Sequence, residues 1–294
     1  MTRWVRQGLK RIEQLTAGDR SEIEALVGAC KQHEPGLDLP LYLEPARPAS
    51  GETDNIGYHC DDALVGFANL TPGDEIELQG IVHPAYRRRG IGRALLDAAV
   101  RECRHRGASG LTLVCEEAAP SGQAFAQAVG AAYRDAEHRM ELDRAAYAQR
   151  PAPQWTLAIE PAGIEDLEAL AAMRSGSCSL DRGNARAWAM RYLRRPKQRF
   201  YIGRLGAEPV GMLRVSAVEP RVFVHSFVVR PEYRGRGYGR QILMSVLNRL
   251  IAEGWAHIML EVATDNEVAL TLYRSCGFHR VATYLYYWLS CVCA

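Results

Sequence analysis

The sequence predicts a mixed α/β fold that occurs twice in the chain. Three observations lead there: apolar strand-like runs alternate with amphipathic helical stretches, glycine-rich turns join them, and one half can be laid over the other. "VHPAYRRRGIGRALL" (82–96) and "VRPEYRGRGYGRQIL" (229–243) share Val, Pro, Tyr, three Arg, two Gly and Leu at a constant separation of 147 positions. The same separation relates Ile12-Glu13 to Ile159-Glu160, Gly107 to Gly254, "LTLVC" (111–115) to "IMLEV" (258–262) and Gly130 to Gly277. "VGFANL" and "VGMLRV" stand 145 apart, so only small insertions separate the copies. A repeat of this length is a duplicated domain rather than an array of short units.

Each element can be read in order from the second copy. "AIEPAGIEDLEALAAM" opens it as a short strand and a helix, and "RFYIGRLGAEPVGMLRVSA" follows as a hairpin turning at Gly206-Ala207-Glu208-Pro209. The apolar run "VFVHSFVV" is the next strand; after a Gly/Arg turn, Ile242, Leu243, Val246, Leu247, Leu250 and Ile251 recur on one face of a helix. Another strand, a second helix and the strand region "VATYLYYWL" complete it. The charged strand pattern of the first copy stops at "RAAYAQRPAP", whose prolines and alanines read as a linker. The expected domains are therefore 1–147 and 154–294.

At 294 residues each half can bury its own core. A net charge of +2, with 24% charged residues, gives no electrostatic reason to expect nucleic acid or an anionic membrane as partner. The opening "MTRWVRQGLKRIEQL" lacks the apolar core of a signal peptide, so a cytoplasmic protein is expected. Eight cysteines, at 30, 60, 103, 115, 178, 276, 291 and 293, form no CxxC pair, which argues against a zinc site or a disulfide framework.

The Gly/Arg turn carries the chemistry. A strand-to-helix turn aims the first unpaired N–H groups of the helix at whatever precedes it, and the helix dipole favours an anion there. Glycines allow a nest of N–H groups and close approach, and flanking arginines add charged donors. The turn is not a phosphate-binding loop of the Walker type, since no Gly-Lys-Ser/Thr follows, nor the dinucleotide GxGxxG, since the glycines stop at 239. What stands here is Arg-x-x-Gly-x-Gly, as Arg234, Gly237, Gly239 and again as Arg87, Gly90, Gly92.

That motif, between a strand ending in Val-x-Pro and an amphipathic helix, resembles the acyl-CoA pyrophosphate loop of the GNAT N-acetyltransferase superfamily. The resemblance covers nearly the whole chain as a tandem pair of GNAT-type domains. It implies acetyl-CoA as cosubstrate, without a metal, held in the second half by Phe227, Val228, Val229, Arg234, Gly235, Arg236, Gly237, Tyr238, Gly239 and Arg240. The first-half counterparts are Ile81, Val82, Arg87, Arg88, Arg89, Gly90, Ile91, Gly92 and Arg93. It also implies that the strand before the loop carries a bulge and splays from its neighbour to admit the thioester.

The helix "TDNEVALTLYRSCGF" reads with Thr264 and Glu267 as a capping box and Gly277 as its terminator. In family members of the form "N…A…LY…GF" the tyrosine is the general acid on the coenzyme sulfur and the asparagine contacts the coenzyme; Tyr273 and Asn266 match. The first copy has Ala126 and Ala119 there, so catalysis is expected in the second half alone. Many members place a glutamate base at the position held here by Phe223. His225 shares its strand face and is the candidate base, with Glu219 or no protein base as alternatives.

The acceptor is an amine, a small molecule or a peptide, and "SGSCSLDRGNARAWAMRYLRR" (175–195) offers Asp181, Arg182, Trp188 and Tyr192 without a recognisable code. The arrangement of a degenerate first half and an active second half looks like that of the mycothiol synthases, ranked below a general amine acetyltransferase. The alternative is a non-enzymatic acyl-CoA-binding or sensing protein.

Overall fold

The computed structural model describes residues 7–38, 54–72, 75–176 and 181–291. Residues 1–6, Cys178 with its neighbours 177–180, and Cys293 lie outside them. In chain order the elements are β1 (Gln7–Ile12), α1 (Ala17–His33), β2 (Asn55–Cys60), β3 (Ala63–Pro72), β4 (Ile76–Val82), α2 (Ile91–His105), β5 (Gly110–Glu116), α3 (Pro120–Ala128) and β6 (Ala132–Leu142). Then follow α4 (Arg144–Ala148), β7 (Ala158–Ala162), α5 (Leu167–Ser175), α6 (Arg182–Leu193), β8 (Gln198–Leu205), β9 (Glu208–Val218), β10 (Arg221–Val229), α7 (Tyr238–Ala252), β11 (His257–Ala263), α8 (Glu267–Ser275) and β12 (Phe278–Ser290). The strand and helix order read from the second copy is present. Among the described residues no helix is long and apolar enough to cross a membrane.

The chain forms two compact units, one of residues 1–137 with 282–294, the other of residues 138–281. In unit 1, β1 to β4 are successive antiparallel neighbours, β4 pairs with β5 in parallel, and Tyr284–Ser290 of β12 pair antiparallel with β5. In unit 2 the strands run β6, β11, β10, β9, β8, β7, with β10 and β11 parallel. The final strand of the second sequence copy thus completes the sheet that holds the first copy's β5.

Unit 2 buries apolar residues on both faces of its sheet, because strand side chains alternate and helices cover each side. On one face Ile242, Leu243, Val246, Leu247 and Leu250 of α7 and Leu270 of α8 pack on Val222, Val224, Ile258, Leu260 and Val262, while Ile251 is partly buried. Full burial of each such side chain contributes about 1.5–3 kcal/mol. On the other, α5 and α6 set Leu167, Leu170, Met173 and Trp188 against Phe200, Ile202 and Met212.

Two local expectations change. The hairpin turn is tighter than its sequence suggested, since Leu205 already pairs with Glu208 across Gly206 and Ala207. The expected linker contains α4: Asp143 accepts from the N–H groups of Ala145 and Ala146, and buried Tyr147 donates to Asn248 Oδ1 at 2.7 Å. Alanine-rich composition there favours a helical turn once a cap and an anchoring tyrosine are present.

Gly277 ends α8 with φ +95°, and a Cβ on it would lie 3.1 Å from the Tyr147 amide nitrogen and 3.3 Å from the Asp143 carbonyl oxygen. Gly254, φ +86°, has open space instead. Both Gly→Ala changes should cost about 1–2 kcal/mol of left-handed strain. Gly277→Ala should lower the melting temperature further than Gly254→Ala, because rigid backbone stands in its way, and equal losses would show that the contact relaxes freely.

Candidate functional site

The parallel ladder between β10 and β11 runs from Arg221 opposite His257 to Val224 opposite Leu260 and stops there, although β10 continues to Val229 and β11 to Ala263. The pairing of β10 with β9 also shifts between His225 and Val228, and Ser226 has φ +48°. This is a β-bulge: one residue is added to the strand, so the alternation of faces is displaced beyond it. Val222 and Val224 face α7 and α8, and beyond the bulge it is Phe227 and Val229 that pack on that cluster, while Val228 packs with α5 and α6. The resulting split opens toward the Gly/Arg turn. Unit 1 has a similar early end, with Glu77–Thr112 and Leu78–Leu113 the parallel partners of β4 and β5.

At the mouth of the split in unit 2, a short 3-10 turn (Pro231–Tyr233) leads to Arg234, whose Nε donates to the Val229 carbonyl at 3.0 Å and so folds the turn. Gly235 and Gly237 both have φ +74°, and Gly237 caps α7 without any side-chain hydrogen bond. A Cβ at either glycine would meet nothing within 4 Å, so the left-handed backbone rather than crowding calls for glycine, and the space in front of the helix is open. An anion of pyrophosphate size fits such uncapped N–H groups. Gly239 lies within the first turn of α7, where an added Cβ would touch Leu272, Val229 and Phe227 at 3.4–3.6 Å. Arg236 and Tyr238 cover Tyr233, and Arg240 donates to Ser275 Oγ of α8 at 2.7 Å, so that arginine braces two helices.

Tyr273 of α8 is buried beside Phe227 and Phe278, with ring centroids 6.4 and 6.0 Å away. Burial first, and the charge of a Cys276 thiolate second, push its phenol up to about 12, so it is protonated at neutral pH. Asn266, not Thr264, is the N-cap of α8: its Oδ1 accepts from the Ala269 N–H at 3.1 Å, and the expected Thr264–Glu267 capping box is absent because the helix begins at Glu267. Placing the cap on Asn266 fixes its side chain at the start of the helix that follows β11.

His225 and Glu261 are the first residues beyond the last rung of the ladder, one on each arm of the split. Alternation puts both on the face opposite α7 and α8. His225 Nε2 lies 2.8 Å from Ser216 Oγ, and its ring stacks on Phe223 at 5.8 Å. Glu261 Oε1 accepts from Arg139 Nε at 3.1 Å and Nη2 at 2.6 Å, and the Arg139 guanidinium, buried to 1% exposure, also covers Phe223 at 5.6 Å. Neither Glu261 nor Arg139 was singled out from sequence, although a lone acid inside the apolar strand "IMLEVA" was the available signal. Trp188 and Tyr192 of α6 pack with Phe200 and beneath Arg214, whose guanidinium is 4.1 Å from the Tyr192 ring, while Asp181 caps α6 by accepting from Asn184 N–H.

In unit 1 the turn has the same backbone. Arg87 Nε donates to the Val82 carbonyl at 3.1 Å, Arg88 stands at φ +63° where unit 2 has Gly235, and Gly90, φ +81°, caps α2. Ile81 and Ile91 are buried, Arg89 covers Tyr86, Gly92 abuts Phe125, and Arg93 pairs with Asp97 at 3.2 Å. Ala119 and Ala126 occupy the N-cap and a buried site of α3. Across the split, however, Glu34 bridges the two walls: Oε2 accepts from Arg87 Nη2 at 2.8 Å and Oε1 from the Ser121 N–H at 3.4 Å. Burial alone would raise its carboxyl, but the Ser121 and Arg87 hydrogen bonds outweigh that and hold it below the ordinary value. Farther along, the Asp38 N–H donates to Glu116 Oε1 at 2.7 Å and Tyr284 Oη to Asp38 Oδ2 at 3.1 Å.

Burial, then the positive charges of Arg214 and Arg139, push the His225 imidazole down to about 3. The ring is half-buried and neutral at pH 7. An activity limb near pH 6.5 is therefore not expected from it. The unfolded chain binds a proton at this position between pH 6.5 and the lowered folded value, so stability contributed here is present above 6.5 and lost as pH falls below it. His225→Gln should flatten the fall of melting temperature between pH 6.5 and 4.5; an unchanged slope would mean that the ring titrates normally.

A profile of the Acetyltransferase (GNAT) family matches residues 28–131 and 166–278. The mycothiol acetyltransferase of Thermobispora bispora is 31% identical over 236 residues, 74% of this chain and 78% of that protein. Among solved structures, a GCN5-related N-acetyltransferase from Sphaerobacter thermophilus superposes with a TM-score of 0.74 at 18% identity, over 98% of this chain and 97% of that one. A tandem GNAT protein from the clavulanic acid biosynthesis pathway gives 0.68 at 20% identity, over 98% and 100%. With two matched regions in one chain, a glycine-capped turn and a split strand pair in each unit, the protein belongs to the GNAT family as a tandem N-acetyltransferase that moves an acetyl group to an amine.

Proposed function

We propose that unit 2 performs the transfer. The observation that carries this reading is the split between β10 and β11, flanked by an uncapped glycine turn on one side and by Tyr273 on the helix that follows β11. In this reading the pyrophosphate of acetyl-CoA rests on the N–H groups of 235–240 with Arg234 and Arg236 alongside. The pantetheine arm follows the side of Phe227–Val229 that no longer pairs with β11, and Asn266 Nδ2 contacts it. The acceptor amine attacks the thioester carbonyl from the face covered by α5 and α6.

Tyr273 donates a hydrogen bond to the sulfur as the thiolate forms. With a phenol near 12 against an ordinary thiol near 8.5, it stays the donor and full proton hand-over is uphill. The proton on the released thiol then comes from solvent or from the collapsing amine. Acceptors to test first are those of the relatives named mycothiol acetyltransferases, beside a panel of glucosamine, an amino-acid amide, spermidine and a short peptide with a free N-terminus, each followed by thiol release from acetyl-CoA.

For unit 1, the turn of Arg87 to Arg93 and the strand end Ile81-Val82 are proposed to receive acyl-CoA only when Glu34 releases Arg87 and the Ser121 N–H. Three outcomes are expected. Tyr273→Phe should reduce kcat by about 10²-fold or more with acetyl-CoA affinity preserved, and comparable turnover would remove the tyrosine from the reaction. Gly237→Asp should weaken acetyl-CoA binding at unit 2, because it adds a negative charge and left-handed strain at the seat; unchanged affinity by calorimetry would refute the loop assignment. The wild-type chain should titrate with one acetyl-CoA and Glu34→Ala with two, whereas two in the wild type would show that the Glu34 bridge is no barrier.

A further inference from the structure

In unit 2 the first turn of α7, which carries the glycine seat, touches α8 at two places. At Gly239 the contact is steric: a Cβ there would lie 3.4 Å from Leu272 Cδ2, already at van der Waals distance. At Arg240 it is polar: Nη2 donates to Ser275 Oγ at 2.7 Å, and that hydroxyl donates in turn to the Leu272 carbonyl at 2.6 Å. A serine hydroxyl has one proton to give, and with it committed to Leu272 the oxygen is turned to accept from the arginine. The chain of bonds therefore runs from the turn to the last turn of α8, where Tyr273 stands between Leu272 and Ser275.

Unit 1, which has no tyrosine on α3 at the corresponding position, keeps the first contact and lacks the second. A Cβ on Gly92, the counterpart of Gly239, would lie 3.2 Å from Phe125, the counterpart of Leu272. Arg93, the counterpart of Arg240, instead pairs with Asp97 one turn along its own helix at 3.2 Å, and Ala128 stands where unit 2 has Ser275. The position of Asp97 is Met244 in unit 2, so no carboxylate one turn on draws Arg240 back to α7. Close packing of the two helices at the glycine thus does not require the arginine–serine bond. That bond accompanies the tyrosine.

Tyr273 needs such a reference because apolar surfaces alone hold its ring. Phe227 and Phe278 flank it, and Oη makes no hydrogen bond to a described residue. Apolar contact is non-directional, so the place of the hydroxyl follows from where α8 sits. Resting on the reading of Tyr273 as hydrogen-bond donor to the coenzyme sulfur, we propose that Arg240 is a positioning residue. Through Ser275 it locks α8 to the turn that receives the pyrophosphate, which sets the phenol hydroxyl at a fixed distance from the sulfur of a coenzyme held in that turn. Coenzyme and donor then share one rigid frame, and a displacement of about 1 Å between them is enough to cost up to about 10²-fold in rate.

The test measures kcat with the most active amine of the panel above, and acetyl-CoA affinity by calorimetry, for Arg240→Met and Ser275→Ala, each alone and combined with Tyr273→Phe. Each single variant should lower kcat about tenfold with affinity kept within about twofold, and Arg240→Lys, which retains a donor, should recover most of the loss. In the Tyr273→Phe background no hydroxyl remains to be aimed, so the same changes should move kcat by less than about twofold. A tenfold loss that persists in that background, or full kcat in both single variants, would overturn the proposal. So would weaker acetyl-CoA binding in Arg240→Met with normal binding in Ser275→Ala, because the guanidinium would then be a phosphate ligand. Ser275→Ala favours helix and carries the comparison if Arg240→Met folds poorly. Failure of the tyrosine reading is distinct: Tyr273→Phe alone would then turn over like the wild type, and the positioning role would fall with it.

Discussion

Backbone N–H and C=O groups that leave a β ladder must find other partners or remain accessible, and β10 parts from β11 after Val224 while both strands are still extended. The site of unit 2 depends on that parting. It is produced by a bulge whose central residue, Ser226, holds a left-handed backbone at a cost of about 1–2 kcal/mol for a side chain with a Cβ. The bulge does two things together. It lies where β10, still paired with β9 at Val228 and Val229, has stopped pairing with β11, and it displaces the side-chain alternation so that Phe227 and Val229 close the α7 side while His225 and Val228 remain on the other.

The two units share this scaffold and differ in what fills it. Unit 1 keeps the turn conformation even where arginine replaces glycine, with Arg88 at φ +63° in the place of Gly235 at φ +74°. The conformation is therefore imposed by the flanking strand and helix, as the matching bonds from Arg87 to Val82 and from Arg234 to Val229 also indicate. In unit 1 a carboxylate of the chain itself, Glu34, spans from the turn to the start of α3, and the positions of Asn266 and Tyr273 are alanines.

The duplication and the anion-binding turn were legible because glycine and arginine spacing is a local signal that repeats at one offset. Helix α7 was legible for the same reason: its apolar period is continuous. The start of α8 was misread because Thr264 and Asn266 are both good caps, and which is used depends on where β11 ends, at Ala263. The bulge at Ser226 leaves no mark in "VFVHSFVV", since it is a property of backbone pairing with β9. The surroundings of Glu261 and His225 were not legible, because Arg139, which holds Glu261, lies 122 positions earlier in the chain, and the arginines that depress the imidazole come from other strands.

One feature of the sheet order bears on how the chain matures. Residues 284–290 pair with β5, so the unit that contains β1 to β5 lacks one of its strands until synthesis has passed the whole of the second unit. Unit 2 has all its residues by Val281. During synthesis an uncovered parallel strand rich in "LTLVC" would be exposed throughout that interval, the kind of edge that other chains can capture. The order of translation therefore places the second unit's completion ahead of the first's, with Tyr284–Ser290 as the strand that closes the first unit's sheet beside β5.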